Sequence, residues 1–152
     1  MYIPYFVIII FLAFGGFLIA LYLRHHKRNV QEALICPLKA NCDTVIHSNY
    51  SVFMGIPVEI LGMIYYMLIA VGYGIVIIFP VTYVPLFASG LLSITIFAFL
   101  FSMYLTIIQA FALQNWCTWC LISAGICIVI FALAAYDSPL LASLFANMFL
   151  GL

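Results

Sequence analysis

Hydrophobic residues in this chain come in long unbroken runs rather than in alternating or one-sided patterns. Residues 3–23 carry no charge, and residues 57–79, 86–113 and 117–135 hold at most one charge each. Such runs match the ~20 apolar helical residues needed to cross a ~30 Å hydrocarbon core. Their ends are punctuated. Pro4 suits a helix start. Pro57 opens the second run, with Glu59 where a carboxylate favours the helix dipole. Residues 80–85, bounded by two prolines, read as a short turn, and Asp137, Ser138 and Pro139 stop the last run. The pattern predicts an all-α integral membrane protein of one domain spanning 1–152. Its core is a transmembrane four-helix bundle, and residues 24–56 form a cap loop between the first and second helices.

The apolar tail 139–152 rises only about 20 Å as a helix, so it reads as interfacial or as a partial span. Residues 3–23 read as a retained membrane helix, because the basic cluster follows the apolar run instead of preceding it. Small residues within the runs (Gly72, Gly74, Ala88, Ser89, Gly90, Ser123, Ala124 and Gly125) are candidates for close helix contact in lipid.

Composition agrees. The 152 residues are 69% hydrophobic and 5% charged, with mean hydropathy +1.35, against roughly 25% charged in soluble domains. A soluble monomer and a disordered chain are both excluded. With zero net charge and four basic residues, nucleic-acid binding through a basic patch is excluded too. Those basic residues, Arg24, Lys27, Arg28 and Lys39, all fall in the loop after the first span. The positive-inside rule places that loop in the cytoplasm and both chain ends outside. Four spans then bring the 24–56 loop and the connection around Gln114 to the same membrane face.

Chemistry enters with the cysteines. Cys36 and Cys42 lie in the polar loop, and Cys117 and Cys120 form a C-x-x-C at the start of the last helix. The topology brings both pairs to one face. A disulfide between Cys36 and Cys42 closes a very short ring and adds little entropic stability, which suits a switched bond better than a staple. A helix N-terminus and a C-x-x-C both favour thiolate. Two dithiols at a membrane mouth look like an electron relay, whose natural two-electron acceptor in a bilayer is a lipid-soluble quinone. Structural zinc on four cysteines is the main rival, as a zinc-binding adaptor without redox catalysis; a purely structural scaffold leaves the cysteines unexplained. Cys127 reads as a packing thiol with a side role open. Trp116 and Trp119 fit either a cover for a quinone ring or the interfacial aromatic belt. Gln109 suits a bond between helices, and His25, His26 and His47 read as solvated.

The order Cys36, Cys42, Ser48, Tyr50, Ser51, Phe53, Gly55, Pro57, Gly62, Tyr65, then Trp116, Cys117, Trp119 and Cys120, resembles the vitamin K epoxide reductase family. The resemblance covers residues 36 to about 135. The short Cys36–Cys42 spacing is similar to that of prokaryotic members, which oxidise thioredoxin-like proteins and pass the electrons to quinone. The resemblance implies that Cys36 exchanges with a thioredoxin-fold or protein-disulfide-oxidoreductase-like partner. Cys42 then resolves the mixed disulfide and bonds transiently to Cys117. Cys120 faces a quinone of the ubiquinone or menaquinone type, with no metal, and Ser48 belongs to the quinone pocket. Val58 stands where members often carry Asn, and Ala124 where vitamin-K-using animal members carry Tyr, so epoxide reduction is not expected. Most prokaryotic relatives face their cysteines outward, whereas the basic residues here point inward. An inverted member acting on a cytosolic partner reconciles the two, since cytosolic disulfides abound in hyperthermophiles.

Overall fold

A computed structural model of the chain describes residues 3–29, 35–80, 85–138, 143, 147, 148, 150 and 151. Most of the expected turn at 80–85 and most of the tail at 139–152 lie outside the described residues. The elements run α1 (Ile3–Arg28), a short α2 (Cys42–Ile46), β1 (Val52–Phe53), β2 (Ile56–Pro57), α3 (Val58–Ile78), α4 (Pro85–Ile107) and α5 (Thr118–Asp137). A π-helical stretch, Ile108–Leu113, continues α4. Four segments are long and apolar enough to cross a membrane: α1, α3, α4 with its π-helical stretch, and α5. The molecule is an all-α membrane bundle of four helices, capped by the cysteine-bearing segment between the first two.

The buried side of α1 is Phe6, Ile9, Ala13, Gly16, Ala20 and Leu23. These positions alternate in steps of three and four, the seam spacing of coiled-coil packing. The seam faces α3, the helix with which α1 makes its most extensive contact, and closes over Tyr65, Tyr66, Ile69, Tyr73 and Val76, with Ile130 of α5 behind. Lipid is as apolar as leucine, so close packing must hold such helices together, and small residues permit it. The tightest approach is at Gly16, where the Tyr66 ring leaves no room for a Cβ. Among the small residues singled out in sequence, Gly72 meets Leu91, but Gly74, Gly90 and Gly125 face open space. Phe11, Phe97 and Phe111 are 73%, 71% and 79% exposed and form part of the lipid-facing surface.

The first helix outlasts its apolar run. Residues 24–28, expected in the loop, complete the last turn of α1. Lys and Arg are good helix formers, and their charges suit the negative end of the dipole. The cap then folds back through a two-residue hairpin, in which Met54 and Gly55 take φ of 51° and 83° between β1 and β2. Two positive φ angles mark the turn type whose twist matches paired strands. At the other end of the bundle's cysteine face, Gln114 (φ 51°) terminates the π-helical stretch and turns the chain into α5.

Candidate functional site

The cap places its cysteines through a tight ring. Cys36 and Cys42 are disulfide-bonded, with Cα atoms 6.1 Å apart. Between them Pro37–Lys39 makes one turn, with Leu38 and Lys39 held at φ 67° and 54°. Left-handed backbone is unfavourable for such side chains by roughly 1–2 kcal/mol each, so the ring concentrates conformational strain at its solvent-facing edge. Cys42 starts α2 and is buried, whereas Cys36 is half-buried.

Cys117 is the N-cap of α5. Its Sγ accepts from the Cys120 N–H at 3.3 Å, and its own N–H donates to Gln109 Oε1 at 3.3 Å. Gln109 therefore bonds between helices, as its type suggested, and does so at the backbone of a cysteine. Cys117 is fully buried, and hydrogen bonding from the Cys120 side chain holds its thiol below the ordinary value.

The two pairs meet. Cys42 and Cys117 share a buried cluster with Leu23, Val45 and Ile46, against which Cys36, Trp119 and Cys120 pack. Three hydrogen bonds clamp the cap onto the C-x-x-C turn. Thr118 Oγ1 donates to the Pro37 carbonyl at 2.9 Å, Trp119 Nε1 to the Ile35 carbonyl at 3.2 Å, and Asn41 Nδ2 to Asn115 Oδ1 at 2.9 Å. Of these residues the sequence drew notice only to Trp119, and for its ring rather than for its indole N–H; Thr118, Asn41 and Asn115 carried no signal beyond being polar and near the two pairs.

Beside the cluster lies an apolar cavity of about 340 Å³, a size suited to a small organic ligand. Cys120 and Cys127 line it, while Cys36, Cys42 and Cys117 do not. Ser48 and Val58 line it as well. The Ser48 hydroxyl donates to the Val45 carbonyl at 2.7 Å, so its oxygen is left as an acceptor. Trp119 stands apart, packed on Tyr22 at 5.3 Å between ring centres, and Trp116 is half exposed; neither lines the cavity. Deeper in, Tyr66 Oη lies 2.7 Å from Ser123 Oγ and 3.3 Å from Cys127 Sγ. Cys127 thus packs, and does so inside the cavity wall. Tyr65 Oη, also in the wall, is buried without a hydrogen-bond partner among the described residues.

Sequence reading missed one further pair. Lys27 Nζ lies 3.3 Å from Glu59 Oε1 and donates to Ser51 Oγ at 2.8 Å. Both had been read singly, Lys27 as a loop cation that sets orientation and Glu59 as a dipole partner. Among the described residues, no group of three or more His, Cys, Asp or Glu side chains could hold a metal ion.

The family model of the vitamin K epoxide reductase family matches residues 7–135, most of the chain. The protein belongs to that family. Among curated proteins, none matches the chain significantly. Family membership makes it a multi-pass membrane oxidoreductase acting on thiols, in a family that uses quinone. The two cysteine pairs and the adjoining cavity lie within the matched residues.

Proposed function

We propose that the protein oxidises a thioredoxin-fold partner at Cys36 and Cys42, relays the electrons to Cys117 and Cys120, and reduces a membrane quinone. The observation that carries this reading is the ordering of the cysteines. Cys36 is half-buried in the cap, Cys42 and Cys117 share one buried cluster, and Cys120, also half-buried, alone of the four opens into the cavity. In each thiol–disulfide exchange a leaving thiol of lower pKa departs faster, and Cys117, lowered towards thiolate beside the buried end of the cap disulfide, is the sulfur released when Cys36 and Cys42 close their bond again.

A quinone of ubiquinone or menaquinone type, when bound, supplies the sink for two electrons and two protons. The cavity fits one. Its wall is apolar, and the unpartnered Tyr65 hydroxyl and the Ser48 oxygen offer polar contacts to a ring's carbonyl and hydroxyl groups. Its wall includes Ile64, Leu68 and Phe97, which also lie on the outer surface, so the cavity borders lipid between α3 and α4. Those two helices touch sparsely, which leaves a lateral route for a lipid-soluble molecule. Cys120 is the sulfur placed to meet it, while the clamp from Thr118, Trp119 and Asn41 keeps the cap disulfide docked on Cys117.

The basic residues of the Cys36 face favour a cytoplasmic active side, by the positive-inside rule. The substrate there is a cytosolic partner dithiol, and the products are its disulfide and a quinol. The test uses purified protein in lipid vesicles, with a reduced thioredoxin-fold protein and a short-chain quinone. Wild type should form quinol, and Cys120→Ala should form none while still trapping mixed disulfide at Cys36. Full quinol formation by Cys120→Ala would overturn the scheme.

A further inference from the structure

Glu59 is the one charged residue among the described residues that line the cavity. Its side chain is 6% exposed, in the first turn of α3. Lys27 Nζ reaches both carboxylate oxygens, at 3.3 Å and 3.5 Å, and is itself 20% exposed. Ser51 Oγ accepts from Lys27 and donates to the Ser48 carbonyl at 2.8 Å, tying the pair to the cap. The pair therefore runs from the aqueous face to the cavity wall. As a structural tie it is a poor choice. A buried ion pair costs several kcal/mol per ion in desolvation, and apolar replacements are often equally stable. The α1–α3 interface is already closed by the seam through Gly16.

We propose that Lys27 and Glu59 form the proton inlet of the cavity, with Lys27 at the aqueous end and the Glu59 carboxylate delivering the proton inside. The inference rests on the quinone reading above. Oxidation of Cys117 and Cys120 forms one S–S bond and releases two electrons. Reduction of a quinone-class acceptor to quinol consumes two electrons and two protons. Thiolate exchange with the cap carries electrons inward but leaves the partner's two protons in water. Protons must therefore reach the cavity separately, and Glu59 Oε is the carboxylate placed to take them up and pass them to the acceptor oxygen. Among the described residues, the charged and titratable groups facing Glu59 are Lys27 from α1 and the Cys117 and Cys120 thiols from the start of α5. The nearby π-helical stretch contributes Ile108, Gln109 and Leu113 to the cavity wall, all uncharged.

Two experiments test it. In the first, quinone-free protein in lipid vesicles is treated with dicyclohexylcarbodiimide, which reacts with protonated carboxyl groups in apolar surroundings. Glu59 should be modified, as read by peptide mass. A Glu59 that stays unmodified takes up no proton there, and the inlet is overturned. In the second, Glu59→Gln should slow quinol formation by about 100-fold, the low end of what positioned proton transfer contributes. Weak acids small enough to enter the cavity should restore part of that rate, and Glu59→Asp should keep most of it. Chemically reduced Glu59→Gln should still show Cys117 and Cys120 as free thiols, and these should reoxidise through the cap when a small-molecule disulfide is added as oxidant. Wild-type quinol formation by Glu59→Gln, or loss of that thiol exchange in both variants, overturns the proposal. If wild type itself makes no quinol, the quinone reading has failed, and carbodiimide labelling still decides whether Glu59 takes up protons.

Discussion

The Gly16 contact gives a sharp stability prediction because an internal control sits next to it. An ideal Cβ on Gly15 meets nothing within 4 Å, whereas one on Gly16 runs into the Tyr66 ring, with Cε2 at 2.7 Å. Both substitutions to Ala gain about the same helix propensity, up to roughly 1 kcal/mol, so the difference between them isolates the clash. Ordinary carbon contacts lie near 3.5–4.0 Å, so the ring or the helix must move by about an ångström. The ring is not free to move, because its hydroxyl is bonded to Ser123 at 2.7 Å to Oγ and 3.0 Å to the carbonyl. Overpacking costs about 1–3 kcal/mol, and releasing the hydroxyl adds about 0.5–1.5 kcal/mol. Gly16→Ala should therefore be less stable than Gly15→Ala by about 2–4 kcal/mol. Reversible unfolding in mixed detergent micelles, followed by tryptophan fluorescence, reads this as a shift of about thirtyfold or more in the equilibrium constant. Equal stability of the two variants would refute the packing of α1 on α3 described here.

Other outcomes follow from the same geometry. Lys27→Met should destabilise the protein by up to about 3–5 kcal/mol by leaving Glu59 buried without its cation, and Lys27→Met with Glu59→Leu should recover most of it; the same unfolding assay checks both. With Cys36 and Cys42 replaced by Ser, removal of the Cys120 side chain should move the pH profile of Cys117 thiolation by a small reagent to higher pH. The reason is direct: the Cys120 hydrogen bond lowers the Cys117 thiol, so thiolate persists to lower pH while that bond is present and not after it is gone. A membrane-impermeant maleimide should label pre-reduced Cys36 only after cells are lysed, and labelling of intact cells would reverse the proposed orientation.

The four long helices were legible because each apolar run matches the thickness of a bilayer. Their register was not. In lipid the helices are apolar all round, so the three-four spacing from Phe6 to Leu23 is hidden among equally apolar neighbours, and Gly16 drew no notice beside showier glycines. That both cysteine pairs share a face followed from topology alone. Their docking depends on Thr118, Trp119, Asn41 and two carbonyls, and carbonyl partners leave no trace in a sequence. The Lys27–Glu59 pair escaped for another reason: the helix was ended where its hydrophobicity ended, which put Lys27 in a loop. A lone carboxylate opening a membrane helix calls for a partner, and that signal was present at Glu59.

The central claim is that Cys117 and Cys120 hand electrons to quinone without help from the cap cysteines. It is tested most directly by a single turnover of the Cys36→Ser/Cys42→Ser protein, reduced without oxygen and mixed with a short-chain quinone. One quinol per chain should form, with Cys117 and Cys120 converted to a disulfide and Cys127 still a free thiol. Absence of quinol, or a disulfide that involves Cys127 instead, would contradict it.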